Sequence, residues 1–239
     1  MCSMALFDVI DATWPAAQMW RDGAFVLRNG QGGGKRVSAA SLVETDFSDH
    51  DIDHAETAMQ RMQQDPLFMI RSGDTALDET LGERGYDIID PVNVYKIPAQ
   101  ELAQTRPPKV CMFSVWPPLA IQADIWARAG IGPARLAVMD RAQGPKTAIL
   151  ARWNDKPAGT AYVACHDHTA MLHALEILPA HQRQGLGRIV MNHAAFWALD
   201  QGMSYVTTLC VDTNLPANGL YSSLGMKVVE HYHYRIKRT

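Results

Sequence analysis

Residues 175–188 read Leu175-Glu176-Ile177-Leu178-Pro179-Ala180-His181-Gln182-Arg183-Gln184-Gly185-Leu186-Gly187-Arg188. An apolar strand ends at Pro179, a short loop with two glycines follows, and a long helical pattern begins. Glycines let the backbone approach a ligand closely, and the first turn of a helix offers unpaired N–H groups. With the helix dipole these make an anion site suited to a pyrophosphate, and Arg183 and Arg188 add positive charge. The spacing fits neither the G-x-G-x-x-G nor the Walker pattern. The other glycine cluster, Gly30 to Gly34, runs into Lys35-Arg36 without the Ser/Thr that holds magnesium, so a P-loop is excluded there too.

Downstream of the loop, Gly187 to Gln201 predicts a helix with Val190, His193, Ala194 and Trp197 inward and Gly202 as its C-terminal stop. Residues 205–211 form a β-rich run. Leu215 to Leu224 predicts a helix with Pro216 in its first turn and Gly225 beyond its end, and Val228 to Ile236 closes as a strand or hairpin. Upstream, residues 148–153, 159–165 and 170–178 read as three strands, and 119–129 as a helix.

Further upstream, a short helix carrying Leu6, Val9 and Ile10 breaks at Trp14-Pro15. Strands are expected at 24–28 and 36–43 around the glycine loop, and a helix at 49–64 with Ile52, Ala55, Met59 and Met62 on one face. A strand at 67–71, a helix at 77–84 ended by Gly85, and a closing strand pair at 86–89 and 92–97 complete this half. The polar, proline-flanked PAQELAQTRPP at 98–108 is the linker candidate. Residues 85–97, GYDIIDPVNVYKI, and 225–236, GMKVVEHYHYRI, end the two halves alike. Both join a helix to a strand through Gly, then show an aliphatic pair, an acid and Tyr-basic-Ile, which reads as a degenerate internal duplication.

The chain has 239 residues, 47% hydrophobic and 20% charged, with a formal net charge of −3. That excludes disordered and low-complexity classes and disfavours a nucleic-acid partner, which needs a basic face. No apolar run is long enough for a membrane span. The start, Met1 to Asp8, shows no secretory signal. Cys2, Cys111, Cys165 and Cys210 lack metal-ligand or redox spacing and read as reduced thiols, so a cytoplasmic setting is expected.

Gln182 to Gly187 resembles the Q/R-x-x-G-x-G/A motif of the GCN5-related N-acetyltransferase (GNAT) family. Asn214-Leu215-Pro216-Ala217-Asn218-Gly219-Leu220-Tyr221-Ser222-Ser223-Leu224-Gly225-Met226 resembles that family's N-x-x-A-x-x-L-Y-x-x-L-G-F segment, with Met226 in place of Phe. The resemblance covers about residues 110–239; the first hundred carry neither motif. It implies a mixed α/β (α+β) sheet of the acyl-CoA N-acyltransferase type, in two tandem GNAT-like units. Residues 106–239 would be the catalytic unit, and residues 1–105 a degenerate copy that walls the acceptor site or covers a sheet edge. It implies acetyl-CoA as co-substrate, its pantetheine arm paired to the backbone from Leu175 to Ile177. Pro179 would help break the sheet there. The pyrophosphate would lie on Arg183, Gln184, Gly185, Leu186, Gly187 and Arg188, and Asn214 would bond the arm.

The resemblance also implies direct attack of a primary amine on the thioester, with Tyr221 near the sulfur as general acid. The competing reading of Tyr221 is a core aromatic beside Ala217, Leu220 and Leu224. Some family members carry a Glu on the strand after the splay, where this chain has Leu209. Glu176 is the substitute base, its pKa raised by apolar surroundings, unless its carboxylate points away. His173 is expected on the opposite strand face and as a core histidine. A water chain would need neither. No metal site is expected: His50 and His54, with Asp51 and Asp53 between them, read as a solvated helix start. His166/His168 and His231/His233 alternate on strands and turns, where exposed or packed roles are expected ahead of a place on an acceptor cleft. Cys210 has no activating neighbour in sequence, and Trp116, Trp126 and Trp153 read as packing residues.

The rival function is a non-catalytic CoA-binding or regulatory module, consistent with Leu209. A longer acyl donor or an O-acyl acceptor is a third reading. The acceptor stays open among small-molecule and peptide amines, as does oligomeric state, a homodimer included.

Overall fold

The computed structural model describes residues 3–108 and 110–237. The first half runs α1 (Ser3–Thr13), β1 (Gln18–Asp22), β2 (Phe25–Asn29), β3 (Ala40–Leu42), α2 (Asp49–Arg61), β4 (Leu67–Arg71), α3 (Thr75–Glu83), β5 (Asp87–Pro98) and α4 (Ala99–Leu102). The second runs β6 (Met112–Val115), α5 (Ala120–Arg128), α6 (Pro133–Arg141), β7 (Lys146–Trp153), β8 (Lys156–His166), β9 (Thr169–Ile177), α7 (Leu186–Asp200), β10 (Tyr205–Val211), α8 (Leu215–Ser223) and β11 (Lys227–Ile236). All eleven strands join one mixed sheet in the order β1-β2-β3-β4-β11-β5-β10-β9-β8-β7-β6.

The two halves repeat one connectivity. β2 and β3 are antiparallel, and β3 and β4 are parallel across α2. β8 and β9 are antiparallel, and β9 and β10 are parallel across α7. Each half's last strand then pairs antiparallel with the other half's strand: β5 with β10, and β11 with β4. β5 and β11 pair with each other at the seam. The halves are therefore stitched through exchanged strands. Helix α1 adds to the seam, burying Leu6, Phe7, Val9 and Ile10 in one cluster with Met171, Tyr232 and Tyr234. Each such aliphatic or aromatic side chain contributes about 1.5–3 kcal/mol when buried, so this docking is firm.

Several elements differ from the sequence expectation. The closing strand pair is one 12-residue strand, β5, with a bulge at Asp90 (φ 45°) where the register against β11 shifts. The run expected as strand 36–43 begins as a 3-10 turn, Lys35–Val37, and only Ala40–Leu42 pairs. The linker candidate contains α4, whose Ala99 and Leu102 are buried in the core under α7. On α7 the buried stripe is Leu186, Val190, Met191, Ala194, Ala195 and Ala198, while His193 and Trp197 lie on its flanks. β1, β6 and α6 were not anticipated. Gly202 does end α7 in the left-handed conformation, with the Met203 N–H donating back to the Ala198 carbonyl.

Candidate active site

The parallel pairing of β9 with β10 runs from Thr169↔Tyr205 to Leu172↔Thr208 and stops. Beyond it β10 continues along β5, while β9 continues along β8. The two strands part at His173, six residues before Pro179, and the cause is local. Ala174 has φ 50° and forms a bulge against β8, where Tyr162 faces His173 but Thr160 faces Glu176. Gly159 permits this approach, since a Cβ there would stand 2.6 Å from the Glu176 carbonyl oxygen. The bulge also cancels the strand's alternation. His173 and Glu176 therefore lie on the same face, contrary to the expectation from their spacing.

The opened edge of β9 bounds a cleft of ≈ 860 Å³. Of the residues expected to bind cofactor or act on it, only Gln184 does not line this cleft. Gln184 instead donates to the Ala180 carbonyl (3.0 Å) and braces the loop. Gln182 staples the loop to the strand end by donating to the Ile177 carbonyl (3.0 Å). Gly185, at φ 81°, turns the chain into α7 from the left-handed region, which a glycine enters without a Cβ penalty. Gly187 serves packing: a Cβ there would meet Leu220 of α8 at 2.9 Å. No side chain caps α7 and its first turn carries no acid, so its leading amides face the cleft mouth. Arg188 donates to Ser223 Oγ (2.8 Å), which links α7 to α8. Arg183 is exposed and, among the described residues, has no ion pair.

Tyr221 is buried against Tyr95 of β5, with ring centroids 5.3 Å apart. Burial pushes its phenol up to about 12, opposed by a hydrogen bond with Thr208 and helped by the nearby Cys210, Glu176 and Tyr95. Glu176 is half-buried, and loss of hydration raises its pKa. Asn214 caps α8, its Oδ1 accepting from the Ala217 N–H (3.2 Å); its Nδ2 is the group that could reach a cofactor arm. Leu209 pairs with Val94 and lines the cleft. Cys210 is held protonated, its thiol pushed up to about 11 by burial and by Asp212. His173 is a packed histidine, bonded to Thr13 Oγ1 (2.9 Å) and Arg36 (3.0 Å), its pKa lowered by burial and by that guanidinium.

Elsewhere, Nδ1 of His54 pairs with Asp22 at 3.1 Å, and Nε2 of His233 with Asp78 at 2.9 Å. Among the described residues no group of three His, Cys, Asp or Glu is arranged to hold a metal ion. Cys111, Cys165 and Cys210 are free thiols; Cys2 lies outside the described residues. No helix among the described residues is long and apolar enough to cross a membrane.

Residues 111–226 match the family model for the acetyltransferase (GNAT) family. This stretch is a GNAT domain. The whole chain is similar in fold to a GCN5-related N-acetyltransferase from Kribbella flavida, at 16% identity and TM-score 0.71, covering 98% of this chain and 95% of that one. It is similar to a functionally unknown conserved protein from Staphylococcus epidermidis, at 15% identity and TM-score 0.69, covering 95% and 96%. It is also similar to a tandem GNAT protein from the clavulanic acid biosynthesis pathway, at 14% identity and TM-score 0.60, covering 83% and 74%. No curated protein matches the chain.

The first half supplies parts of the cleft that no motif in the GNAT domain marks. Arg36, in the 3-10 turn after the glycine cluster, lines it directly. Behind the cleft wall, Tyr95 both packs on Tyr221 with the rings tilted by 55° and donates to Asn218 Oδ1 (2.7 Å). Asn218 in turn donates through Nδ2 to the carbonyls of Val211 (3.0 Å) and Asn214 (2.9 Å), which fixes the start of α8 beside the end of β10. Asn218 sits at an unspecified position of the second motif. Only its hydrogen bonds reveal its positioning role.

Proposed function

We propose that the chain is an N-acetyltransferase that moves the acetyl group of acetyl-CoA to a primary amine, in the cytoplasm. Residues 106–239 act as the catalytic unit, and residues 1–105 as a partner that completes the acceptor side. One observation carries the reading: an uncapped, acid-free helix start and an unpaired strand edge open onto the same cleft as Tyr221 and Glu176. Bound acetyl-CoA supplies an activated acyl group whose sulfur leaves as a thiolate.

The amides of residues 183–188 and the α7 dipole hold the pyrophosphate, with Arg183 and Arg188 as counter-charges. The free edge of Leu175 to Ile177 receives the pantetheine arm as an added strand, and Asn214 Nδ2 donates to it. Glu176 takes the proton of the incoming amine, directly or through one water, because an ammonium of pKa about 10.4 is not a nucleophile. As the new N–C bond forms and the C–S bond breaks, Tyr221 donates its hydroxyl to the departing sulfur. A phenol held at about 12 stays protonated throughout the working range, as an acid must. It is a weaker acid than a free thiol at about 8.5, so it acts first as a hydrogen-bond donor to the developing charge. The acylated nitrogen sheds its second proton to solvent, and solvent returns one to the phenol.

The test is calorimetric binding of acetyl-CoA followed by measurement of free CoA release across a panel of amines. The reading expects binding and amine-dependent release. A CoA-binding module without turnover is the second reading, favoured by Leu209, which leaves no acid at that point of β10. Tight binding with no release for any amine would select it.

A further inference from the structure

A second hollow of ≈ 470 Å³ adjoins the cofactor cleft, and the two share Arg36, His173, Ala174, Leu209, Cys210 and Asn214. It lies on the far side of the strand opening, between the two halves. Its apolar walls include Trp14, Val92, Ile131 and Tyr232, and polar surface makes up about as much of its lining. Its charged members are three cations, Lys35, Arg36 and Arg135, and one carboxylate, Asp90. Asp90 is already engaged by Lys35. His173 is held neutral by burial and by Arg36 and adds nothing. The hollow therefore presents two guanidinium groups that, among the described residues, have no carboxylate partner.

Both guanidiniums are positioned by neighbours. Arg36 is held by its bond to His173 Nδ1 (3.0 Å) and lies 5.5 Å from the Trp14 ring centroid. Its Nε is buried and has no hydrogen-bond partner among the described residues, an uncommon condition for a charged fork. Arg135, on α6, lies against Gly34, where a Cβ would stand 3.4 Å from its Nε. Gly34 itself is at φ 102°, a conformation that favours glycine. The glycine cluster that fails as a P-loop thus brings Arg36 and Arg135 together from different halves of the chain.

We propose that the acceptor is an amine carrying an acid group on the same molecule, and that Arg36 and Arg135 grip that acid group. A guanidinium fork matches a carboxylate or phosphate by paired hydrogen bonds. The same positive field repels ammonium and favours the neutral amine that can attack the thioester. A polyamine or other polycation would meet like charge here and be rejected. The amine's role rests on the N-acetyltransferase reading, whereas the acid site stands on the cations alone.

The test uses the full chain with saturating CoA and calorimetric titration of matched pairs. Aspartate and phenylalanine are compared with their amides, phosphoethanolamine with ethanolamine, and putrescine serves as the dication. At least one acid should bind about tenfold or more tighter than its uncharged twin. Arg135→Gln should erase that preference, and the carboxylate and phosphate arms tell which acid is taken. The proposal is overturned if no acid outbinds its twin, if putrescine binds best, or if the preference survives both Arg135→Gln and Arg36→Gln. Acids that bind while no amine is acetylated would keep this site and remove the acetyltransferase reading. Acetylation of neutral and acidic amines with equal kcat/KM would do the reverse.

Discussion

Helices α2 and α7 occupy equivalent places in the repeat, each linking two parallel strands, yet their first turns are built differently. α2 starts at Ser48 with a reciprocal capping box: Ser48 Oγ accepts from the Asp51 N–H, and the Asp51 carboxylate accepts from the Ser48 N–H. Asp49 and Asp51 sit in its first turn. Its leading amides and its dipole are thus satisfied internally, and an anion would be repelled. α7 starts at a left-handed glycine with no side-chain cap and no acid. The same architecture gives a closed helix start in one half and an open one in the other. The following helices differ in step. Counting back four residues from the equivalent Gly85 and Gly225, Leu81 in α3 stands where Tyr221 stands in α8.

The sharpest way to break this contrast is to make α7 resemble α2. Gly185→Asp adds a capping carboxylate at a left-handed position, and acetyl-CoA affinity should fall by about 100-fold or more in calorimetry. Unchanged affinity would mean the pyrophosphate lies elsewhere. Next, Tyr221→Phe removes what Leu81 already lacks in the other half. It should lower kcat by about 100-fold while acetyl-CoA affinity holds. An unchanged kcat would remove Tyr221 as the acid.

A smaller effect concerns Glu176. A base must be ionised, so kcat/KM should rise with pH through a pKa above the ordinary carboxylate range, and Glu176→Gln should flatten that limb. The stability sign is set by the same burial. With the folded pKa raised, the contribution of neutral Glu176 is full below the unfolded pKa and lost as pH rises through the folded one. Glu176→Gln should therefore gain melting temperature relative to wild type above that window and not below it. The smallest effect sharpens the comparison from the other side. Ser48→Ala should cost about 1 kcal/mol of stability by denaturant titration and leave acetyl-CoA affinity untouched.

What could be read in the sequence was what local chemistry decides. The glycines at 185, 202 and 225, the strands before Pro179 and the helix from Leu215 all signal themselves within a few residues. α6 was also readable, since Gly132 and Pro133 form an ordinary helix start, and its weak amphipathic pattern hid it. β1 is exposed over most of its length and so shows no alternation. The bulge at Ala174 carries no residue signature, yet it opens the sheet and reverses the expected facing of His173 and Glu176. The strand exchange between β5 and β11 is a matter of long-range pairing, as is the meeting of Arg36 with Arg135. Asn214 was legible as a motif residue, but its Oδ1 serves as a helix cap.

Hydrogen–deuterium exchange with and without acetyl-CoA tests the contrast between the two helix starts most directly. Binding should slow exchange at the amides of residues 183–188 and along the open β9 edge at 173–177. The amides of residues 44–51, at the start of α2, should exchange as before. Protection at the start of α2, or none at the start of α7, would contradict the account.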